Sequence, residues 1–287
     1  MQYLKKELAV QSYCLRNFQP LGIPAVAKKL LETGMTYIGI GTPEKPEDFQ
    51  SVIKQYADFG VTIADNFAPA FDGNEALMRK GFEFSKLLGH NTMTCNFNLT
   101  KNIVQTFELA EKLAAEYDIR LAIHNHGCWH WLGSQTMLDF IFQNTSERIG
   151  LCLDTAWAQD ANLNAVEAVK RWPKRIFSVH LKDFEYHKDK THHDVVIGKG
   201  FIDLPGLMTA LKGINFHGYM AIEYEGEPEN PIPALIAGKE EVLKLILTEL
   251  FNETSGISGT SETYENTKYR PICPTCPSCP KLSLPCF

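Results

Sequence analysis

The sequence predicts a single (β/α)8 TIM barrel, and three observations carry that reading. Short β-rich runs alternate with longer stretches of helical periodicity, eight of each before residue 252. The first strand-to-helix turn, LRNFQPLGIP, lacks the G-x-G-x-x-G expected of an open doubly wound dinucleotide fold. Residues able to bind metals or carry protons crowd the ends of the fifth to eighth strands, the end of such a barrel where chemistry sits.

The elements follow in order. LAVQSYC (8–14) reads as the first strand and 23–33 as its helix; TYIGIG (36–41) is followed by a helix at 45–58. VTIADNF (61–67) leads to 74–88, TMTCNF (92–97) to 102–117, and RLAIHNH (120–126) to 134–145. GLCLDTA (150–156) precedes a helix at 162–171, IFSVHLKD (176–183) one at 204–213, and YMAIEYE (219–225) one at 231–251. Gly34, Gly60, Gly89 and Gly218 fall in connections, where backbone angles costly to other residues are tolerated.

The bulk numbers narrow the classes of function. With 44% hydrophobic and 22% charged residues, the 287-residue chain has an ordinary soluble composition. A formal charge of −6 argues against nucleic acid or an anionic membrane held by bulk electrostatics. MQYLKKELAVQSYC contains no apolar signal-peptide core, and no run of about 18 apolar residues occurs, so the expected location is the cytoplasm. Cys14, Cys95, Cys128 and Cys152 read as reduced small hydrophobes. Residues 252–287 change character, first Ser/Thr/Gly/Asn-rich and then Cys/Pro-rich, and are expected to be a disordered tail on a barrel domain of residues 1–251. Within that tail Cys273, Cys276, Cys279 and Cys286 lack the two separated pairs of an ordinary structural zinc site.

The strand ends supply His124, Asp154, His180 and Glu223, one from each of four successive strands. A divalent cation takes imidazole and carboxylate ligands from several directions and keeps positions open for substrate. Strand alternation sets His126, Lys182 and Glu225 on the same faces, two residues further on. Taken singly, each has an ordinary role open to it: a hydrogen-bonded histidine, an Asp154 helix cap, a Lys182–Asp183 ion pair at the rim. Glu223 in the apolar run MAIEYE needs a cation beside it if it points inward. Four such coincidences at consecutive strand ends favour a functional site.

The motifs LAIHNHG, IGLCLDTAWAQDANLNAVEAVKRW, RIFSVHLKDFE and VVIGKGFIDLPGLMTALKGINFHGYMAIEYEGEPENP resemble the sugar phosphate isomerase/epimerase family of xylose isomerase-like barrels. The resemblance covers roughly 8–250 and is strongest over 119–230. It implies a divalent metal, Mn²⁺ first and Mg²⁺, Zn²⁺ or Co²⁺ as alternatives, on His124, Asp154, His180 and Glu223. Many relatives carry glutamate at the position of His124, and many read Asp-Thr-Gly-His where this chain reads Asp154-Thr155-Ala156-Trp157. An indole stacks on a sugar face but neither ligates a metal nor accepts a proton, so His126 or His130 is a candidate for the missing histidine's role.

The implied activity is metal-dependent isomerisation or epimerisation of a ketose, keto-sugar or sugar phosphate through an enediolate. Glu225 and His126 are the candidate proton carriers and Lys182 an electrostatic aid; Trp157, Asn66, Asn96, His130 and Lys199 are the expected substrate contacts. Lys199 enters because VIGKGFIDLPG (196–206) is able to cradle a phosphate on backbone N–H groups, although an ordinary loop capped by Asp203 fits equally. The segment EYHKDKTHHD (185–194) reads as a solvated excursion. Two rivals stand beside this activity: a dehydratase or lyase on an inosose-like or 3-keto-sugar, and a barrel that binds sugar or metal without turnover. A DNA-cleaving barrel of the endonuclease IV kind needs more ligands and a basic groove. The expected partner is a small carbohydrate, with no nucleic acid and no membrane, and the resemblance implies a homo-oligomer.

Overall fold

The computed structural model describes residues 8–254. Eight parallel strands close into a barrel: β1 (Ala9–Gln11), β2 (Tyr37–Gly41), β3 (Thr62–Phe67), β4 (Thr92–Cys95), β5 (Arg120–His124), β6 (Ile149–Asp154), β7 (Ile176–Leu181) and, after an antiparallel hairpin β8 (Asp183–Tyr186) and β9 (His192–Val195), β10 (Met220–Ile222). β10 pairs with both β7 and β1, which closes the ring. The hairpin is the expected excursion after β7, exposed at Glu185, at 187–191 and at His193 but ordered as two paired strands. The first strand is shorter than expected, because Ser12–Leu21 coils into 3-10 helix.

The surrounding helices are α1 (Ile23–Glu32), α2 (Phe49–Asp58), α3 (Glu75–Leu87), α4 (Ile103–Tyr117), α5 (Gln135–Gln143), α6 (Thr155–Asp160), α7 (Ala165–Arg171), α8 (Leu204–Gly213) and α9 (Ile232–Thr254). The sixth strand thus runs straight into a short helix before the expected one. Start signals are local: Asn74, Ser134, Asn164 and Asp203 each accept a backbone N–H of the first turn of α3, α5, α7 and α8. Residues 252–254 continue α9, while the remainder of the expected tail, including its four cysteines, lies outside the described residues. Among the described residues no helix is long and apolar enough to cross a membrane.

Two faces of each strand do different work. The outward residues, Val10, Ile38, Ile123, Leu151, Leu153, Val179 and Ile222 among them, are buried with the apolar stripes of the helices in one continuous core. The inward face is smaller and more polar than the bulky branched layers usual in such barrels. Ala122, Cys152 and Phe177 form a separate small cluster there, and Asp65, Thr94 and Ser178 are buried.

Candidate active site

Strand alternation carries His124, Asp154, His180 and Glu223 inward at the C-terminal ends of β5, β6, β7 and β10. His124 and Asp154 end their strands, His180 sits one residue before the end of β7, and Glu223 follows β10. Pairing aligns Asp154 with His180, and His124 with Cys152, so the ends stagger around the rim by about one residue pair. One ligand-type atom from each of the four lies within 4.8 Å of all the others. His180 Nδ1 is 2.5 Å from Glu223 Oε2 and 3.1 Å from His124 Nε2. His124 Nε2 is in turn 3.7 Å from Asp154 Oδ2 and 3.8 Å from Glu223 Oε2.

These residues fit a divalent metal. Ligands about 2.0–2.2 Å from an ion stand roughly 3 to 4.4 Å apart in tetrahedral or octahedral geometry, close to the separations found. Asp154 Oδ2 is buried with no hydrogen-bond partner, although Asp154 Oδ1 accepts from the Trp157 N–H at 2.8 Å. The helix cap therefore uses one oxygen of the side chain and leaves the other, Oδ2, toward the cluster. Charge points the same way. Asp154, Glu223, Glu225 and Asp194 surround a single buried lysine, Lys182. Burial, then the neighbouring Glu223, pushes the Asp154 carboxyl up to about 8. Burial alone would raise Glu223, but His180 and His124 outweigh it and hold its carboxyl well below the usual range.

Supports lie around the cluster. Asn125 clamps β6 in both directions, donating to the Asp154 carbonyl at 3.0 Å and accepting from the Asp154 N–H at 2.9 Å. Lys182 is 1% exposed, and its Nζ meets Glu225 Oε1 at 2.6 Å, Asp194 Oδ2 at 2.9 Å and Glu223 Oε1 at 3.9 Å. The carboxylates outweigh burial and hold its pKa well above the ordinary lysine value. Asp194 belongs to β9 and also accepts the Glu225 N–H at 2.8 Å, so the hairpin fastens the segment after β10. Nothing in a polar excursion of that composition marked Asp194 as the third partner of a buried lysine.

A cavity of about 800 Å³ opens above the cluster, lined by His124, His126, Trp157, Glu223 and Glu225 on one side. Its other wall, from Gln11, Tyr13, Thr42, Glu44 and Phe67 at or just beyond the first three strand ends and from Lys80 of α3, was not singled out in the sequence. Trp157 packs its ring edge-on against Phe184, 4.9 Å between centroids, and the Lys182 ammonium stands 5.8 Å from the indole. Trp129, 69% exposed, also borders the cavity. Glu225 is raised by burial, with Lys182 opposing. Burial, followed by His124 and His130, lowers His126 to about 3, so that imidazole is neutral at physiological pH.

The other expected substrate contacts are placed differently. Asn96 Nδ2 is 3.0 Å from His126 Nε2, and the His130 ring stands 4.5 Å from that of His126; both stand behind it rather than on the cavity wall. His130 Nδ1 accepts the Leu132 N–H and caps a short 3-10 turn. Asn66 has every polar position engaged, donating to Gly81 O and Ser85 Oγ and accepting from Thr42 Oγ1, so it ties β3 to α3. Lys199 faces α9, where it pairs with Glu241 at 2.8 Å.

The loop around Lys199 does cradle an anion, but that anion is the chain's own. Asp183 accepts the N–H groups of Gly198 and Gly200 on Oδ2 and those of Phe201 and Ile202 on Oδ1. A side chain on Gly200 would collide with this carboxylate, its Cβ 2.4 Å from Oδ1. The donors that a substrate phosphate would need are already used.

The comparisons with known proteins agree with this construction. An inosose dehydratase of Clostridium botulinum is 29% identical over 150 residues, 46% of this chain and 49% of the relative. A sugar phosphate isomerase/epimerase from Parabacteroides distasonis superposes with a TM-score of 0.67 at 17% identity, over 84% of this chain and 96% of that one. The IolI protein with a bound zinc atom superposes with a TM-score of 0.63 at 19% identity, over 84% and 98% of the two chains. The matched region spans about half the length of the curated relatives. At these identities the two structural likenesses speak for the fold. A family model matches residues 98–244, half of the sequence and all four strand ends of the cluster, and on that match the chain belongs to the xylose isomerase-like TIM barrel family.

Proposed function

We propose that the protein is a metal-dependent, sugar-modifying enzyme that isomerises or epimerises a keto-sugar. The observation that carries this is the convergence of His124, Asp154, His180 and Glu223 within 4.8 Å, with His124 and Glu223 lining a cavity of about 800 Å³. These four side chains would hold a divalent ion, which when bound would supply Lewis-acid polarisation of a substrate carbonyl. Zinc and Mn²⁺ both suit the donor set; Mg²⁺ suits its two imidazoles less well.

The chain's own residues divide the remaining work. Glu225 borders the cavity and is the carboxylate that takes a proton from carbon; Lys182, 2.6 Å away, fixes its position. His126, neutral and on the opposite side of His124, is the second proton carrier, positioned by Asn96. Trp157 and Trp129 offer apolar faces to the sugar ring. With the loop 196–206 closed on Asp183, the substrate read from this cavity is an unphosphorylated keto-sugar or cyclic keto-polyol.

A second reading is favoured by the relative named inosose dehydratase: the same carbanion expels a β-hydroxyl instead of being reprotonated. One experiment covers both. Chelator-treated protein is reloaded with Zn²⁺, Mn²⁺ or Co²⁺ and incubated in D₂O with paired free and phosphorylated ketoses and cyclic keto-polyols. Deuterium in recovered or isomerised free sugar supports the first reading, and loss of one water from a cyclic keto-polyol supports the second. Metal-loaded protein that neither exchanges nor dehydrates any of them removes the catalytic reading and leaves a binding barrel.

A further inference from the structure

Beneath the cluster, inside the barrel, a tyrosine reaches the far side of one candidate ligand. Tyr219 precedes β10, four residues before Glu223 and in phase with it, so both side chains face inward from the same strand. The Tyr219 hydroxyl lies 3.3 Å from His180 Nε2, the ring nitrogen opposite the one that faces Glu223 and His124. It also lies 3.3 Å from Thr94 Oγ1 on β4. The Asp65 carboxyl of β3 faces the same hydroxyl, buried, with neither oxygen closing a hydrogen bond of ordinary geometry. The Cys152 thiol of β6 is a further neighbour of the phenol.

We propose that Tyr219 is the positioning residue that turns Nδ1 of His180 toward the metal, by taking the Nε2–H from inside the barrel. A neutral imidazole has one N–H and one lone pair. If Nδ1 is to offer its lone pair to an ion, the hydrogen must sit on Nε2 and needs an acceptor there. The Tyr219 oxygen is that acceptor, and its own hydrogen is left for Thr94 or Asp65. Such a chain fixes the tautomer and ring rotation and raises the basicity of the ligating nitrogen. His124 contrasts with it: its Nδ1 is buried without a partner, so among the two imidazoles His180 is the one held from behind.

The inference rests on the metal reading, and the experiment separates the two. Zinc affinity is measured by competition with a chromophoric chelator for the wild type, Tyr219→Phe and His180→Ala, with the Co²⁺ d–d spectrum recorded for each. Wild-type protein that binds no Zn²⁺, or His180→Ala that binds as well as wild type, fails the metal reading and with it this proposal. Given tight wild-type binding, Tyr219→Phe is expected to bind Zn²⁺ about 10- to 100-fold more weakly and to shift the Co²⁺ band. Zinc affinity within twofold of wild type and an unchanged Co²⁺ spectrum would overturn the proposal alone, whatever the change in melting temperature. Should Tyr219→Phe not fold, ¹⁵N NMR of the zinc-loaded wild type decides: a His180 ring with its hydrogen on Nε2 and Nδ1 on the metal supports the proposal, and the reverse tautomer overturns it.

Discussion

Asp154 and Trp157 are joined by a 2.8 Å hydrogen bond from the tryptophan N–H to Oδ1, which leaves Asp154 Oδ2 free and 3.7 Å from His124 Nε2. Cap and ligand are thereby separable by substitution. Asp154→Asn keeps an acceptor for the cap but removes the charge. We expect its Zn²⁺ affinity to fall by more than about 100-fold, beyond what loss of an outer partner costs, with the metal-free melting temperature no lower than wild type. Asp154→Ala loses the cap as well and should cost about a further 1 kcal/mol of stability. Chelator competition and calorimetry on the two variants check this; full metal affinity in Asp154→Asn would strike Asp154 from the ligand set.

Lys182 is the buried counter-charge of the site, with Glu225, Asp194 and Glu223 all within 3.9 Å of its ammonium. Removing one partner of a buried ion pair leaves the others uncompensated and costs about 3–5 kcal/mol. Lys182→Met is expected to lose stability of that order in urea unfolding. Adding Glu225→Gln to it should restore about 0.5–3 kcal/mol, because one stranded carboxylate disappears. Strict additivity of the two changes would show that the pair carries no coupling.

The strand-borne part of the site was legible because side chains alternate along a strand: once β5, β6, β7 and β10 were recognised, His124, Asp154, His180 and Glu223 had to converge. What stayed hidden depended on approach between elements distant in sequence. Asn66 looked free at a strand end, but Gly81 and Ser85 bring α3 close enough to engage its amide fully. Asp194 sits in a polar stretch whose pairing with β8 only the hairpin register reveals. Tyr219 read as one more aromatic of an apolar strand, although its phase with Glu223 was the available signal.

On the barrel's outer surface, Asp139 of α5 accepts from Arg171 Nε at 2.9 Å and from the Trp172 indole at 2.9 Å, linking two helices. The Arg171 guanidinium holds the Asp139 carboxyl below its ordinary value. A depressed folded pKa means stability that is present above the unfolded carboxylate value, about 3.8–3.9, and lost as pH falls through the folded one. Asp139→Asn should therefore have a lower urea midpoint than wild type at pH 7 and pH 5, with the gap closing as pH is taken below about 4. A gap of the same size at the acid end would mean that the carboxylate charge contributes nothing.

Asp183 fills the anion cradle of residues 198–202, so emptying it should expose a binding site that the wild type does not have. Its carboxylate takes four backbone N–H groups and is 1% exposed. Asp183→Ala strands those donors where water enters only in part, at a cost of about 2–4 kcal/mol. That corresponds to a fall of roughly 4–16 °C in melting temperature for a domain of this size. The vacated space suits a small anion, held by the same N–H groups that Asp183 now uses. Acetate or inorganic phosphate at tens of millimolar should therefore raise the melting temperature of Asp183→Ala and leave that of the wild type unchanged, beyond the general effect of chloride at matched ionic strength. A variant that melts like wild type, or that responds to acetate and chloride alike, would show that the loop holds its shape without an anion. The phosphate discrimination proposed for the active-site cavity would then lack its structural cause.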